Sequence, residues 1–140
     1  MTPEDVDRVV RAAHRIHDDT ALSSGFYRFL FDRRPDLRSM FPADMRRQRE
    51  KFVTELEGLA SSLPDLSAFE ERAHALGARH HSYGVRAEHF ASVREALLDA
   101  LTVRLAPDFD DQDRLAWARA FNLLAEMMLE GAERVTVPAE

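Results

Sequence analysis

The chain has no cysteine, which removes thiolate nucleophiles, disulfides, iron–sulfur clusters and cysteine zinc sites from consideration. Its chemistry is left to histidine, carboxylates, tyrosine, or a cofactor that one of them holds. Among six histidines, His80 has the most telling spacing. Phe69, Ala73, Leu76 and His80 recur at helical intervals, which puts the imidazole on the apolar face of its helix. An imidazole so placed is either a core histidine bonded to a carbonyl or one presented to a metal or cofactor. Three features favour the second. The core it faces is rich in Phe and Leu and offers few polar partners. The helix stops directly afterwards at Gly84-Val85, near an opening. Gln48 stands on another stripe as a second isolated polar group aimed inward, with Met45, Phe52 and Leu56 around it.

The other histidines read as less informative. His81 shares a face with Glu70, His74 and Gly77, and that face is expected to be polar and solvated. His14, His17, His74 and His89 show no carboxylate spacing typical of a zinc site and are read as surface or rim residues. Tyr27 lies one position off the stripe of Phe26, Phe29 and Leu30. It is either a core aromatic whose hydroxyl finds a local acceptor or a donor into a pocket.

The elements that position these residues are helical throughout. Apolar residues recur at three and four, and no segment alternates with period two long enough for a strand. Pro3, Pro35, Pro42, Pro64, Pro107 and Pro138 all fall where a helix begins or a tail starts. Thr2 caps a first helix expected to run to about Asp19. A second carries Leu22, Phe26, Phe29 and Leu30 to about Arg34, and Pro35 opens a short turn to Phe41. The helix of Gln48 and Phe52 continues to Leu63, and that of His80 follows the Leu63-Pro64-Asp65 break. Phe90 to Leu105 forms a long helix. The last runs from about Asp110 to Arg134 and is expected to bury Leu115, Ala118, Phe121, Leu124, Ala125 and Met128. The class is all-α, with six to seven unequal helices and no repeat.

Composition bounds the partners. A length of 140 residues fits one domain, here residues 1–140 with a loose tail from about 135. A net charge of -6 argues against nucleic acid or an anionic membrane as partner. No apolar run approaches the ~20 residues that span a bilayer. The N-terminus MTPEDVDRVV is acidic and amphipathic, unlike a signal peptide, and a cytoplasmic location is expected. No nucleophile–base–acid constellation of a hydrolase is visible.

In order and spacing the chain resembles the bacterial globins, both single-domain haemoglobins and the haem domain of flavohaemoglobins. The resemblance runs from about Asp5 to Leu129. It is carried by Phe26-Tyr27-Arg28-Phe29-Leu30-Phe31 with Pro35 and Phe41, by Gln48-Arg49-Glu50, by Leu76-Gly77-Ala78-Arg79-His80 with Gly84-Val85, and by the Trp117 segment. It implies a globin fold around a haem b pocket, with His80 as the proximal iron ligand and Leu76 supplying the carbonyl that fixes its tautomer. Phe41 would pack on the porphyrin face, Tyr27 and Gln48 would form the distal polar pair, Phe52 an apolar ceiling, and Val85 a contact at the proximal edge. Lys51 and Arg79 would reach the haem propionates, or else remain solvated charges.

Flavohaemoglobins support the proximal histidine with a tyrosine and a glutamate. Phe90 and Ala132 stand at those positions here, which implies a less anionic imidazole and a weaker electron push. No histidine falls on the Gln48–Phe52 face, so five-coordinate ferrous iron is expected. Three functions remain open. One is reaction of dioxygen with nitric oxide, which requires a separate reductase. Another is dioxygen binding alone, for storage, delivery or scavenging. The third is a haem-based gas sensor or a haem-free interaction module on the same fold. Dioxygen, nitric oxide and carbon monoxide are the expected ligands, and monomer and homodimer are both admissible.

Overall fold

A computed structural model describes residues 1–136, all of whose regular elements are helical. The tail expected from about residue 135 lies, beyond Thr136, outside the described residues. Six α-helices are α1 (Pro3–Arg15), α2 (Thr20–Arg33), α3 (Arg46–Ser62), α4 (Leu66–Ser82), α5 (Phe90–Leu105) and α6 (Asp111–Thr136). Short 3-10 helices at Pro35–Met40 and Ala87–His89 complete the order.

The helix starts follow capping chemistry. The Thr2 hydroxyl accepts from the Asp5 N–H at 3.1 Å while the Asp5 carboxylate accepts from the Thr2 N–H at 2.9 Å, a reciprocal box. Arg119 of α6 also bonds Asp5, which ties the last helix to the first turn of the first. α1 ends at Arg15, short of the expected Asp19. The Asp19 carboxylate instead accepts from the N–H groups of Ala21 and Leu22 and caps α2, and Asp18 turns the chain at φ 54. Asp65 caps α4 by accepting from the Ala68 N–H.

α2 packs across α5, α1 lies on α6, and α4 runs against α6 in the most extensive contact of the molecule. The α4–α6 contact corrects one expectation. The face of His74 and Gly77 is not solvated, because Gly77 is buried against α6. A Cβ on Gly77 would sit 2.0 Å from the Met128 carbonyl oxygen, and one on Gly131 would sit 2.2 Å from that of His74. Only hydrogen at both positions lets the two backbones come this close. A second correction concerns the start of α6. Leu115 is 49% exposed, whereas Ala116, Trp117, Ala120 and Phe121 are buried. The helix is turned so that two alanines and the tryptophan face inward, and Ala118, Leu124 and Ala125 are only half-buried. Among the described residues no helix is long and apolar enough to cross a membrane.

Candidate functional site

A cavity of about 820 Å³ opens between α2, α3, α4, α5 and α6. All nine residues singled out from the sequence line it: Tyr27, Phe41, Gln48, Lys51, Phe52, Leu76, Arg79, His80 and Val85. Its volume is typical of a cofactor pocket, for which roughly 300–1,000 Å³ is usual.

His80 enters from the last turns of α4. Its Nδ1 lies 2.9 Å from the Leu76 carbonyl oxygen, one turn back. A carbonyl only accepts, so Nδ1 carries the proton and Nε2, on the opposite edge of the ring, keeps its lone pair. Burial pushes the imidazole below its ordinary pKa; the Leu76 hydrogen bond opposes this in part, and the Arg79 charge adds to it. A neutral ring with a fixed tautomer is the state in which histidine binds a metal. The C-terminus of α4 then shapes the adjoining wall. Gly84 takes φ 88, and the Val85 N–H folds back to the His80 carbonyl at 3.1 Å, which carries Val85 to the cavity.

Tyr27 and Gln48 come from α2 and α3. Gln48 Nε2 donates to the Tyr27 hydroxyl oxygen at 2.9 Å. With that oxygen accepting, the tyrosine's own O–H is free to donate elsewhere. Burial pushes the Tyr27 phenol up to about 12, partly offset by the Gln48 bond, so the hydroxyl is protonated at neutral pH. The pair is held from behind. Ser23, fully buried, donates to the Arg49 carbonyl at 2.8 Å and locks the first turn of α3 onto α2. The Tyr27 ring meets Phe26, Phe41 and Phe52 edge-on at centroid distances of 4.9, 5.4 and 5.5 Å. Phe26 and Phe52 stack at 4.2 Å. Arg38 secures the segment of Phe41 by donating to the carbonyls of Phe41, Pro42 and Ala43.

At the rim, Arg79 pairs with Glu55 at 3.5 Å, whereas Lys51 is exposed and carries no ion pair among the described residues. Arg47 lines the same mouth and was not singled out from the sequence. Also missed was most of the wall supplied by α5 and α6, where Val93, Leu97, Phe121, Leu124 and Met128 line the cavity beside Phe90. Their helical periodicity marks them as apolar but does not separate cavity wall from solid core. Phe90 meets Phe121 edge-on at 6.4 Å and offers no polar atom to His80. His89, expected at the surface or the rim, is buried, 8% exposed, and lines the cavity. Its Nδ1 accepts from the Arg86 N–H at 2.9 Å, a local turn contact that draws the ring inward.

A second group of donors, Glu70, His74 and Glu130, has ligand atoms within 4.8 Å of one another. Arg134 Nη1 lies 3.1 Å from His74 Nδ1, so that nitrogen accepts and the proton sits on Nε2, which donates to Glu130 at 2.9 Å. In this tautomer neither nitrogen offers a free lone pair to a metal. The cluster is a hydrogen-bonded clamp between α4 and α6.

The cavity therefore combines aromatic and aliphatic walls, one imidazole nitrogen free to bind a metal, and a paired hydroxyl and amide. These residues fit a flat apolar ring that carries a metal ion.

Comparison with known proteins agrees with this geometry. The globin family model matches residues 24–128. Flavohemoproteins of Bordetella pertussis and Chromobacterium violaceum are each 30% identical, over 122 and 112 residues, which is 85% and 78% of this chain. Those stretches are 30% and 28% of the relatives, so the chain spans less than a third of the length of the curated proteins it matches. Among solved structures, an engineered carbene transferase from Rhodothermus marinus, its source provisionally described as a nitric oxide dioxygenase, is 28% identical with TM-score 0.85. That alignment covers 97% of this chain and 96% of the other. A bacterial globin from Campylobacter jejuni, 21% identical with TM-score 0.80 over 96% and 99% of the two chains, shares the fold.

Proposed function

The chain belongs to the globin family, and on that premise we propose that it holds haem b through His80 and binds dioxygen reversibly in the ferrous state. The observation that carries the reading is the pairing of His80, its Nδ1 fixed and its Nε2 free, with Tyr27 and Gln48 across one apolar cavity. A haem held there would supply an iron able to bind a diatomic ligand reversibly. His80 Nε2 is the protein's ligand, and Leu76 holds the ring in the required tautomer. The Tyr27 O–H donates to the polar ligand, with Gln48 orienting the hydroxyl. Phe41, Phe52 and Val85 line the cavity and would hold a porphyrin by apolar contact, and Lys51 and Arg79, which line it too, would meet its carboxylates. The only other imidazole lining the cavity among the described residues is His89, whose Nδ1 is engaged by the Arg86 N–H, so His80 would be the one histidine offered to a ferrous iron.

The same pocket serves nitric oxide dioxygenation, in which nitric oxide, dioxygen and one electron give nitrate. We assign the electron to a separate reductase. Two observations support this activity: the donor pair of Tyr27 and Gln48, and the 28% identity to the Rhodothermus marinus protein. The test starts from haem-loaded ferrous protein. Dioxygen is added, removed under argon and added again, and nitrate is then measured after mixing the dioxygen-equilibrated sample with nitric oxide. Spectra that cycle with dioxygen, and nitrate formed in proportion to haem, are expected. Irreversible oxidation at the first exposure would overturn dioxygen binding, and cycling without nitrate would overturn the dioxygenase step.

A further inference from the structure

Among the described residues, the hydrogen bond that holds the His80 ring comes from its own helix. Its Nδ1 bonds the Leu76 carbonyl, and its aromatic neighbour is Tyr83, 6.2 Å between ring centres, at the end of the same helix. Among the described residues no side chain from another element hydrogen-bonds the ring, and Phe90, the aromatic nearest in role on α5, has no polar atom to offer. The place of the imidazole is therefore inherited from the backbone of α4. If that helix moves, ring and acceptor move with it as one body.

What seats the backbone of α4 is its crossing with α6. Two absent side chains, one from each helix, bring the backbones together: Gly77 against the Met128 carbonyl and Gly131 against the His74 carbonyl. A Cβ at either position would come within 2.0 to 2.2 Å of a backbone oxygen, where ordinary contact needs 3.4 Å or more. The neighbour is main chain, so no side-chain rotation relieves the clash. The crossing is also latched, by His74 Nε2 donating to Glu130 and Arg134 donating to His74 Nδ1. Gly77 directly follows Leu76, whose carbonyl holds His80, and Met128 lines the same cavity as both.

We propose that the Gly77–Gly131 crossing, latched by His74 against Glu130 and Arg134, positions His80 and sets the geometry of its bond to the haem iron. This rests on the haem-binding reading above. Gly77, Gly131 and His74 are positioning residues: none touches the cofactor, and each acts through the seat of α4. The consequence is specific. A methyl group added to α6 where it meets α4 is felt at the iron, because among the described residues no side chain from another element hydrogen-bonds the imidazole and holds it back while its helix shifts.

The iron–histidine stretching band of ferrous, unliganded, haem-loaded protein, read by resonance Raman, is the observable. It responds to the tilt and length of the axial bond, not to stability as such. Gly131→Ala wedges the crossing, and His74→Leu removes the latch without adding bulk at the glycines. Gly25→Ala is the control, since its Cβ has ordinary contact at 3.9 Å with Ala100. The expected result is a shifted band in Gly131→Ala, a shifted or broadened band in His74→Leu, and the parent band in Gly25→Ala. Should Gly131→Ala not fold, His74→Leu decides. A parent band that is unmoved in the folded variants overturns this inference alone. A parent protein with no iron–histidine band overturns the haem-binding reading and this inference with it.

Discussion

Replacing Tyr27 with phenylalanine isolates what one hydroxyl contributes to ligand retention. The ring is buried, 6% exposed, and packed by Phe26, Phe31, Phe41 and Phe52 at centroid distances of 4.9 to 5.8 Å, so Tyr27→Phe preserves the packing and deletes only the oxygen. That oxygen accepts from Gln48 at 2.9 Å and leaves its proton for a ligand in the cavity. A hydrogen bond to a charged acceptor is worth about 1.5–3 kcal/mol. Dioxygen gains negative character at ferrous iron, so losing the donor speeds its dissociation roughly 10- to 150-fold. Released from Tyr27, the Gln48 amide can donate in its place, which sets the single variant near the lower end and Tyr27→Phe with Gln48→Leu near the upper. Carbon monoxide carries far less charge, and its dissociation changes little. Stopped-flow displacement of dioxygen by carbon monoxide gives the first rate, and displacement of carbon monoxide by nitric oxide gives the second. Equal effects on the two gases, or an unchanged dioxygen rate in the double variant, would refute the assignment of these residues as ligand donors.

Two further predictions concern the folded chain without haem. The Tyr27 phenol is held up at about 12 against an ordinary 10.0, so between those values the unfolded chain has lost a proton that the folded one retains. Stability therefore falls as pH rises through that window, by up to ~2–3 kcal/mol, and urea titrations of the parent should show a steeper alkaline decline than those of Tyr27→Phe; parallel curves would contradict it. Gly77→Ala sets a methyl 2.0 Å from a backbone oxygen, so the helices must part by more than an ångström. The cost is at least the ~1–3 kcal/mol of ordinary overpacking, and an urea midpoint within experimental error of the parent would exclude the close crossing.

Several elements were legible because their signals are chemical and local. Pro35 and Pro107 punctuate, Thr2 carries a capping side chain, the Leu63-Pro64-Asp65 break marks the start of the next helix, and the Phe69–Leu76–His80 interval shows which face His80 occupies. The nine residues taken from motif and resemblance meet in one cavity, although the sequence holds them as far apart as Tyr27 and Val85. What escaped has no side-chain signature. Gly77 and Gly131 matter for the atoms they lack, so a hydropathy pattern reads the Gly77 face as polar and solvated and passes over Gly131. The end of α1 was misplaced because Asp19 reads equally as a last helical residue or as the next N-cap, and only its bonds to Ala21 and Leu22 decide. His89 reads as a surface or rim residue, and only its bond from the Arg86 N–H accounts for how deeply its ring is buried. Leu115 was expected inside because leucine outranks alanine in hydropathy, yet close packing at the start of α6 takes the alanines.

The most direct test of the account is spectroscopic. Parent protein and His80→Ala are each titrated with haem, and ferric, ferrous and carbon monoxide spectra are recorded. The account predicts a strong Soret band in the parent that saturates at one haem per chain, a five-coordinate ferrous form, and a shift with carbon monoxide. In His80→Ala it predicts that the ferrous band is lost or altered and is restored by added imidazole. A parent with no saturable Soret band, or a His80→Ala variant with spectra identical to the parent's, would contradict the claim that this cavity holds haem through His80.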